Sequence, residues 1–156
     1  MADIQVASRM VHRKSLAAFL KTQMDAPKAV LPYVPADLKS QAPLTCVTSG
    51  PTTRKRDTPQ SYENVFGLTI RNIAIYSLES EPDWTPEMAE DMIDTLEHQA
   101  SIALLHADQQ ALKLGFRAIS RNGTSIPDIM KVNGVSYLIE GIPVLVEVDD
   151  ESQEQS

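Results

Sequence analysis

A single cysteine, Cys46, stands in the 156-residue chain, so no intrachain disulfide forms and no multi-cysteine metal site exists. Its expected place is that of a small apolar side chain buried in a strand. The 6 glycines leave little room for a phosphate-cradling loop, and neither such a loop nor a Gly-x-Ser-x-Gly elbow is present. No apolar run approaches the roughly 20 residues that a membrane-spanning helix needs. Polar residues break every apolar cluster from Met1 to Val11, so a secretory signal is not expected and synthesis in the cytosol is. A basic excess is missing as well: the formal net charge is -7, which removes the whole-protein argument for nucleic-acid binding. Internal repeats are absent.

What remains is an ordinary globular composition, 42% hydrophobic and 22% charged, in a chain long enough to bury a core without staples. The acidity is uneven. Asp149, Asp150, Glu151 and Glu154 close the chain, and without these four the 21 acids become 17 against 14 bases, a body near -3. The expected organisation is one α+β domain over residues 1–148 followed by an acidic tail, 149–156, without fixed structure.

Apolar spacing predicts a helix from Ser8 to Met24, capped by Ser8 and stopped before Pro27. A proline-rich connection follows, with a short strand at Ala29 to Tyr33. Leu44 to Thr48 reads as a strand that Ser49-Gly50-Pro51 stops. A basic loop with Arg54, Lys55 and Arg56 then runs to Pro59. Tyr62 to Leu78 is the longest strand pattern, with a bulge expected near Asn72. Its start is expected to project with the loop as an arm over Thr52 to Ile70, while Ile73 to Leu78 enters the core. After a turn at Glu79 to Asp83, Thr85-Pro86-Glu87 gives a cap, a proline at the first helical position and early acids, predicting a helix to about His106. Strands are expected at Leu112 to Ser120, Ser125 to Val132 and Val135 to Ile139, the last two joined by a hairpin at Asn133-Gly134. A final strand over Ile142 to Val148 has Gly141 and Pro143 at its start, suggesting an edge or bulge there. This order favours an α+β fold: a mostly antiparallel sheet, two main helices packed on it and a projecting β-hairpin or loop arm.

Candidate chemistry is sparse. Glu90, Asp94 and His98 follow one another at spacings of four on the second helix, the arrangement a metal-dependent hydrolase would use. The plainer reading is a solvated polar helix face, since no second helix offers matching ligands. His106 suits the helix C-terminus as a charge partner for its carbonyls, and His12 reads as solvated among bases. Arg54, Lys55 and Arg56 admit three readings: a solvated loop tip, a phosphate contact, or an arm that meets another protein. The lack of interleaved aromatics weighs against single-strand nucleic-acid binding. The strand attached to the loop favours the arm. No catalytic residue, metal or cofactor is expected.

Taken together, the helix with Leu16-Ala17-Ala18-Phe19-Leu20, the basic loop before Asn64-Val65-Phe66-Gly67-Leu68-Thr69-Ile70, Trp84-Thr85-Pro86 opening a helix with Ala89-Glu90-Asp91, and the closing Ile142-Pro143-Val144-Leu145-Val146-Glu147-Val148 resemble the tail terminator, or tail-completion, proteins of long-tailed bacteriophages. The likeness runs from about Arg13 to Asp149 and lies in the order of motifs, each of them common. It implies a structural virion protein, assembled in the host cytoplasm, that forms a hexameric ring. Such a ring caps the major tail tube protein at its head-proximal end, stops polymerisation and joins a head-completion or connector protein, with genomic DNA passing through unread. Head-closure and head-tail joining components share the general make-up and are the near alternative. On this chain the partner-facing residues would be Arg54, Lys55, Arg56 and Phe66. The contact between neighbouring subunits would set Arg9, Arg13 and Lys14 against Glu87, Glu90 and Asp94.

Overall fold

The computed structural model describes residues 3–58, 61–77 and 85–153. In chain order the elements are β1 Asp3–Gln5, α1 Arg9–Gln23, β2 Ala29–Leu31, α2 Leu38–Gln41, β3 Leu44–Thr58, β4 Ser61–Ser77, α3 Pro86–Gln109, a 3-10 turn Ala111–Leu114, β5 Ala118–Arg121, β6 Asp128–Val132, β7 Val135–Asp149 and β8 Glu151–Gln153. The fold is α+β. Six strands form one sheet in the order β2-β3-β4-β7-β5, with β6 also on β7. Every pairing is antiparallel except β2 with β3.

Both long helices start where their caps are. The Ser8 hydroxyl accepts from the Val11 amide and that of Thr85 from the Met88 amide, at 3.4 and 3.2 Å, satisfying amides that have no partner inside the helix. Helix α1 buries Leu16, Ala17, Phe19 and Leu20. Helix α3 buries Ala89, Ala100, Ala103 and Ala107 among larger residues, and these small side chains let its axis approach the sheet closely. Both lie on one sheet face, against Phe66, Leu68, Ile70 and Ala74 of β4 and Leu138, Ile142, Val144, Val146 and Val148 of β7. On the opposite face, Leu38 and Ala42 cover only one end, closing a smaller core with Leu44, Cys46, Ile73, Ile75, Val135 and Tyr137. Cys46 is fully buried there, and burial pushes its thiol up to about 12. Elsewhere no described helix covers that face.

Several elements depart from the expectations. Strand β3 does not stop at Ser49-Gly50-Pro51; it continues to Thr58. A bulge between Ser49 and Thr52 absorbs the extra residue. A proline at an edge-strand bulge removes no needed donor. The space comes from Gly67, where a Cβ would stand 2.3 Å from the Pro51 carbonyl oxygen. The basic segment is therefore strand, not loop. Nor does the start of β4 project. Phe66, Leu68 and Ile70 are core, and β7 accompanies β4 as far as the Glu63–Asp149 pair. Asn72 keeps regular register on both sides and bonds the Thr45 hydroxyl at 2.8 Å; the irregularity against β7 lies instead between Ile75 and Ser77.

The Asn133-Gly134 hairpin is as expected, with φ of 51° and 80° and Val132 paired to Val135. Only the end of Leu112 to Ser120 is strand; its start is the 3-10 turn, closed by Gly115 at φ 85°. The two expected C-terminal strands are one, β7, and Pro143 sits in its middle. The Pro143 carbonyl accepts from the Asn122 amide at 2.8 Å. Its nitrogen faces that same side, where β6 has ended and β5 has not begun, so the ladder to β4 loses no donor. The acidic tail is partly structured too: Asp149 ends β7, and Glu151–Gln153 pairs with Asp3–Gln5. Leu78, the turn at Glu79 to Asp83, Trp84, Pro59 and Glu154 to Ser156 lie outside the described residues.

Candidate interaction surfaces

A strand turns successive side chains to opposite faces, and this divides the basic cluster. Arg54 and Arg56 lie on the helix side. The Arg54 guanidinium donates to Asn64 Oδ1 at 3.0 Å and stands 5.2 Å from the Phe66 ring centroid; Arg56 stands 5.9 Å from that of Tyr62. Lys55 takes the other face, opposite Glu63. All three remain exposed, but they do not form one patch. Phe66 cannot join them at the surface, since it is completely buried.

Two acids lie near these cations, Glu63 by Lys55 and Asp150 by Arg54, and both have stronger partners elsewhere in the chain. Arg117 pairs with Glu63, and with Glu147 and Asp149 at 3.7 and 3.8 Å. The hydrogen bond from Arg117 first, then its charge and that of Lys55, hold the Glu63 carboxyl below its ordinary range. Asp150 ties three segments together: it accepts from the Ala7 amide at 3.0 Å, the Tyr62 amide at 2.9 Å and Asn64 Nδ2 at 2.8 Å. Burial alone would raise its pKa; these bonds and the charge of Arg54 outweigh it and hold the carboxyl below the usual range. Nothing in the sequence pattern marked this role, because Asp150 sits in what reads as a tail.

The expected α1-to-α3 contact also changes. Arg9 donates to the Gly50 carbonyl and the Thr52 hydroxyl at 3.3 and 2.9 Å, and Arg13 to the Ser49 hydroxyl at 3.3 Å. Both clasp the β3 bulge inside the protomer. Lys14 stays exposed, as do Glu87, Glu90, Asp91 and Asp94, and none of these four acids makes an ion pair among the described residues. Glu90, Asp94 and His98 lie along the exposed side of α3, and no group of three possible ligands able to hold a metal occurs among the described residues. His106 meets Gln23 Oε1 at 3.1 Å. His12 is partly buried rather than fully solvated: it stacks on Phe66 and tilts against Phe116, at 5.7 and 5.5 Å between centroids. Basic residues, Arg9, Arg13 and Lys14, stand near it in sequence, so only the distant aromatics reveal that position.

The open sheet face holds a groove of about 570 Å³. Ile73 and Ile139 form its floor, Val34, Ile126 and Met130 its exposed apolar rim, and Arg71 of the central strand β4 also lines it. The Arg71 Nε donates to the Thr48 hydroxyl at 3.2 Å. No carboxylate of the described residues forms an ion pair with it.

No described helix is long and apolar enough to cross a membrane. Compared with known protein families and with curated protein sequences, the chain matches none.

Proposed function

We propose that this chain is a structural ring protein of a bacteriophage tail, a terminator that caps the tail tube at its head-proximal end and presents the surface to which the head is joined. The observation that carries the reading is the separation of two unlike surfaces. The acidic first half of α3 lies on one side of the sheet, and the open groove with Arg71 lies on the other. A closed ring needs two different, matching faces on each subunit, and an α+β protein that leaves both uncovered is suited to one. The resemblance in motif order supplies the place in the virion. In this reading six copies close the ring, and the outer edge of β3 with Arg54, Lys55 and Arg56 faces the tube protein. A head-completion protein binds the other side, and DNA passes through without base contacts.

Negative-stain microscopy of the purified chain, alone and mixed with tail tubes, tests this. Closed rings at one end of each tube are expected. Monomers that ignore the tubes would overturn the reading.

A further inference from the structure

We infer that the groove on the open sheet face receives the first turns of α3 from a second copy of this chain. Each half has an ordinary account by itself. Early acids suit the positive end of a helix dipole, and an arginine stem shelters an apolar sheet face. Those accounts leave the match between the halves unexplained.

The groove has an apolar floor and exposed apolar walls, Ile126 being 75% and Met130 46% accessible. It contains one guanidinium, that of Arg71, with which no carboxylate of the described residues forms an ion pair. Asp128 also lines it, but its Oδ1 accepts from the adjacent Ile129 amide at 2.8 Å and makes no ion pair with Arg71. The start of α3 is the converse. Met88 is 46% exposed, and Glu87 and Asp91, four apart and so neighbours on the helix surface, lie together to one side of it. Both acids are exposed and without an ion-pair partner among the described residues. In the contact, Met88 enters the floor at Ile73 and Ile139, a role its flexible thioether suits. Glu87 and Asp91 meet the Arg71 guanidinium in charge-assisted hydrogen bonds.

A protomer cannot satisfy itself this way. Helix α3 packs on the face that carries Phe66, Leu68 and Ile70, whereas the groove opens on the face that carries Ile73 and Ile139. The contact is therefore head to tail and either closes a ring or extends a filament. It deepens the ring reading above and takes its closure from it. It also replaces the α1-to-α3 contact, whose Arg9 and Arg13 are engaged at the β3 bulge.

The test is the assembly state of the full chain by mass photometry across a dilution series. Arg71→Glu should raise the concentration of half-assembly by about tenfold or more, the scale of one lost charged contact. Glu87→Arg with Asp91→Arg should do the same, and all three changes together should restore assembly. Ile126→Asp, in the exposed loop before β6, should weaken it without touching Arg71, and it keeps the test decisive if Arg71→Glu fails to fold by circular dichroism. Assembly of the wild type with Arg71→Glu and Ile126→Asp equally competent would overturn this contact and leave the ring reading standing. Failure of the triple variant to recover would overturn the pairing of Arg71 with the two acids. A wild-type chain that stays monomeric with and without tail tubes would overturn both.

Discussion

Two clusters of like charge, three cations at 54–56 and four acids at 87–94, have opposite fates. On β3 the two-residue period places Arg54 and Arg56 on one face, each against an aromatic ring, and Lys55 on the other, near Glu63 but in no ion pair among the described residues. On α3 the helical period gathers Glu87, Glu90, Asp91 and Asp94 on an exposed surface, where none finds an ion-pair partner among the described residues. Adjacency in sequence does not make a patch; the period of the element decides. The compact basic run is therefore the weaker candidate for a docking surface, and the dispersed acids are the stronger.

The division on β3 depends on the bulge, so the largest effect should come from removing the space the bulge needs. In Gly67→Ala the new methyl would collide with the Pro51 backbone, and a backbone clash of this kind costs about 1–3 kcal/mol or more. Urea unfolding should show the midpoint falling well below that of the wild type. An unchanged midpoint would mean that the bulge relaxes freely and that the facing of Arg54 and Arg56 is not fixed by Gly67.

Asp150→Asn should have the next largest effect, about 1–2 kcal/mol, because three donors lose a charged acceptor. The native carboxyl is held below its ordinary value, so its contribution is complete above the unfolded-state value and disappears as pH falls through the native one, below about 4. Wild type and Asp150→Asn should therefore differ at neutral pH and converge in acid. Parallel stability curves throughout would remove Asp150 as the junction of the hairpin, Ala7 and the end of β7.

Much of the fold could be read from the sequence, because the governing signals are local. The Ser8 and Thr85 caps, the apolar stripes of α1 and α3, and the two-residue turn at Asn133-Gly134 each specify their element within a few residues. What could not be read depends on residues far apart. Gly50-Pro51 looks like a strand stop unless Gly67 is known to lie opposite it. Pro143 looks like an edge signal unless the gap between β5 and β6 is known. Asp150 looks like tail until Ala7, Tyr62 and Asn64 converge on it. The candidate surfaces divide in the same way: the acids of α3 were visible as a helix face, whereas the groove around Arg71 is assembled from the segment after β2, from β4, and from β6 and β7.

The smallest effects should come from the basic cluster itself, and their inequality tests the comparison most directly. Arg54→Ala removes a hydrogen bond to Asn64 and a cation–π contact with Phe66, interactions worth about 0.5–1 kcal/mol each at exposed sites. Lys55→Ala removes a solvated charge opposite Glu63, an acid whose stronger partner is Arg117, and exposed pairs of that kind contribute little. Chemical denaturation in low and high salt should show a larger loss for Arg54→Ala, much of it surviving in salt because the ring contact and the Asn64 bond are short-ranged. The smaller loss for Lys55→Ala should fade with screening. Equal, salt-sensitive losses would mean that the cations act as one electrostatic patch after all, and the division of the strand by face would lose its meaning.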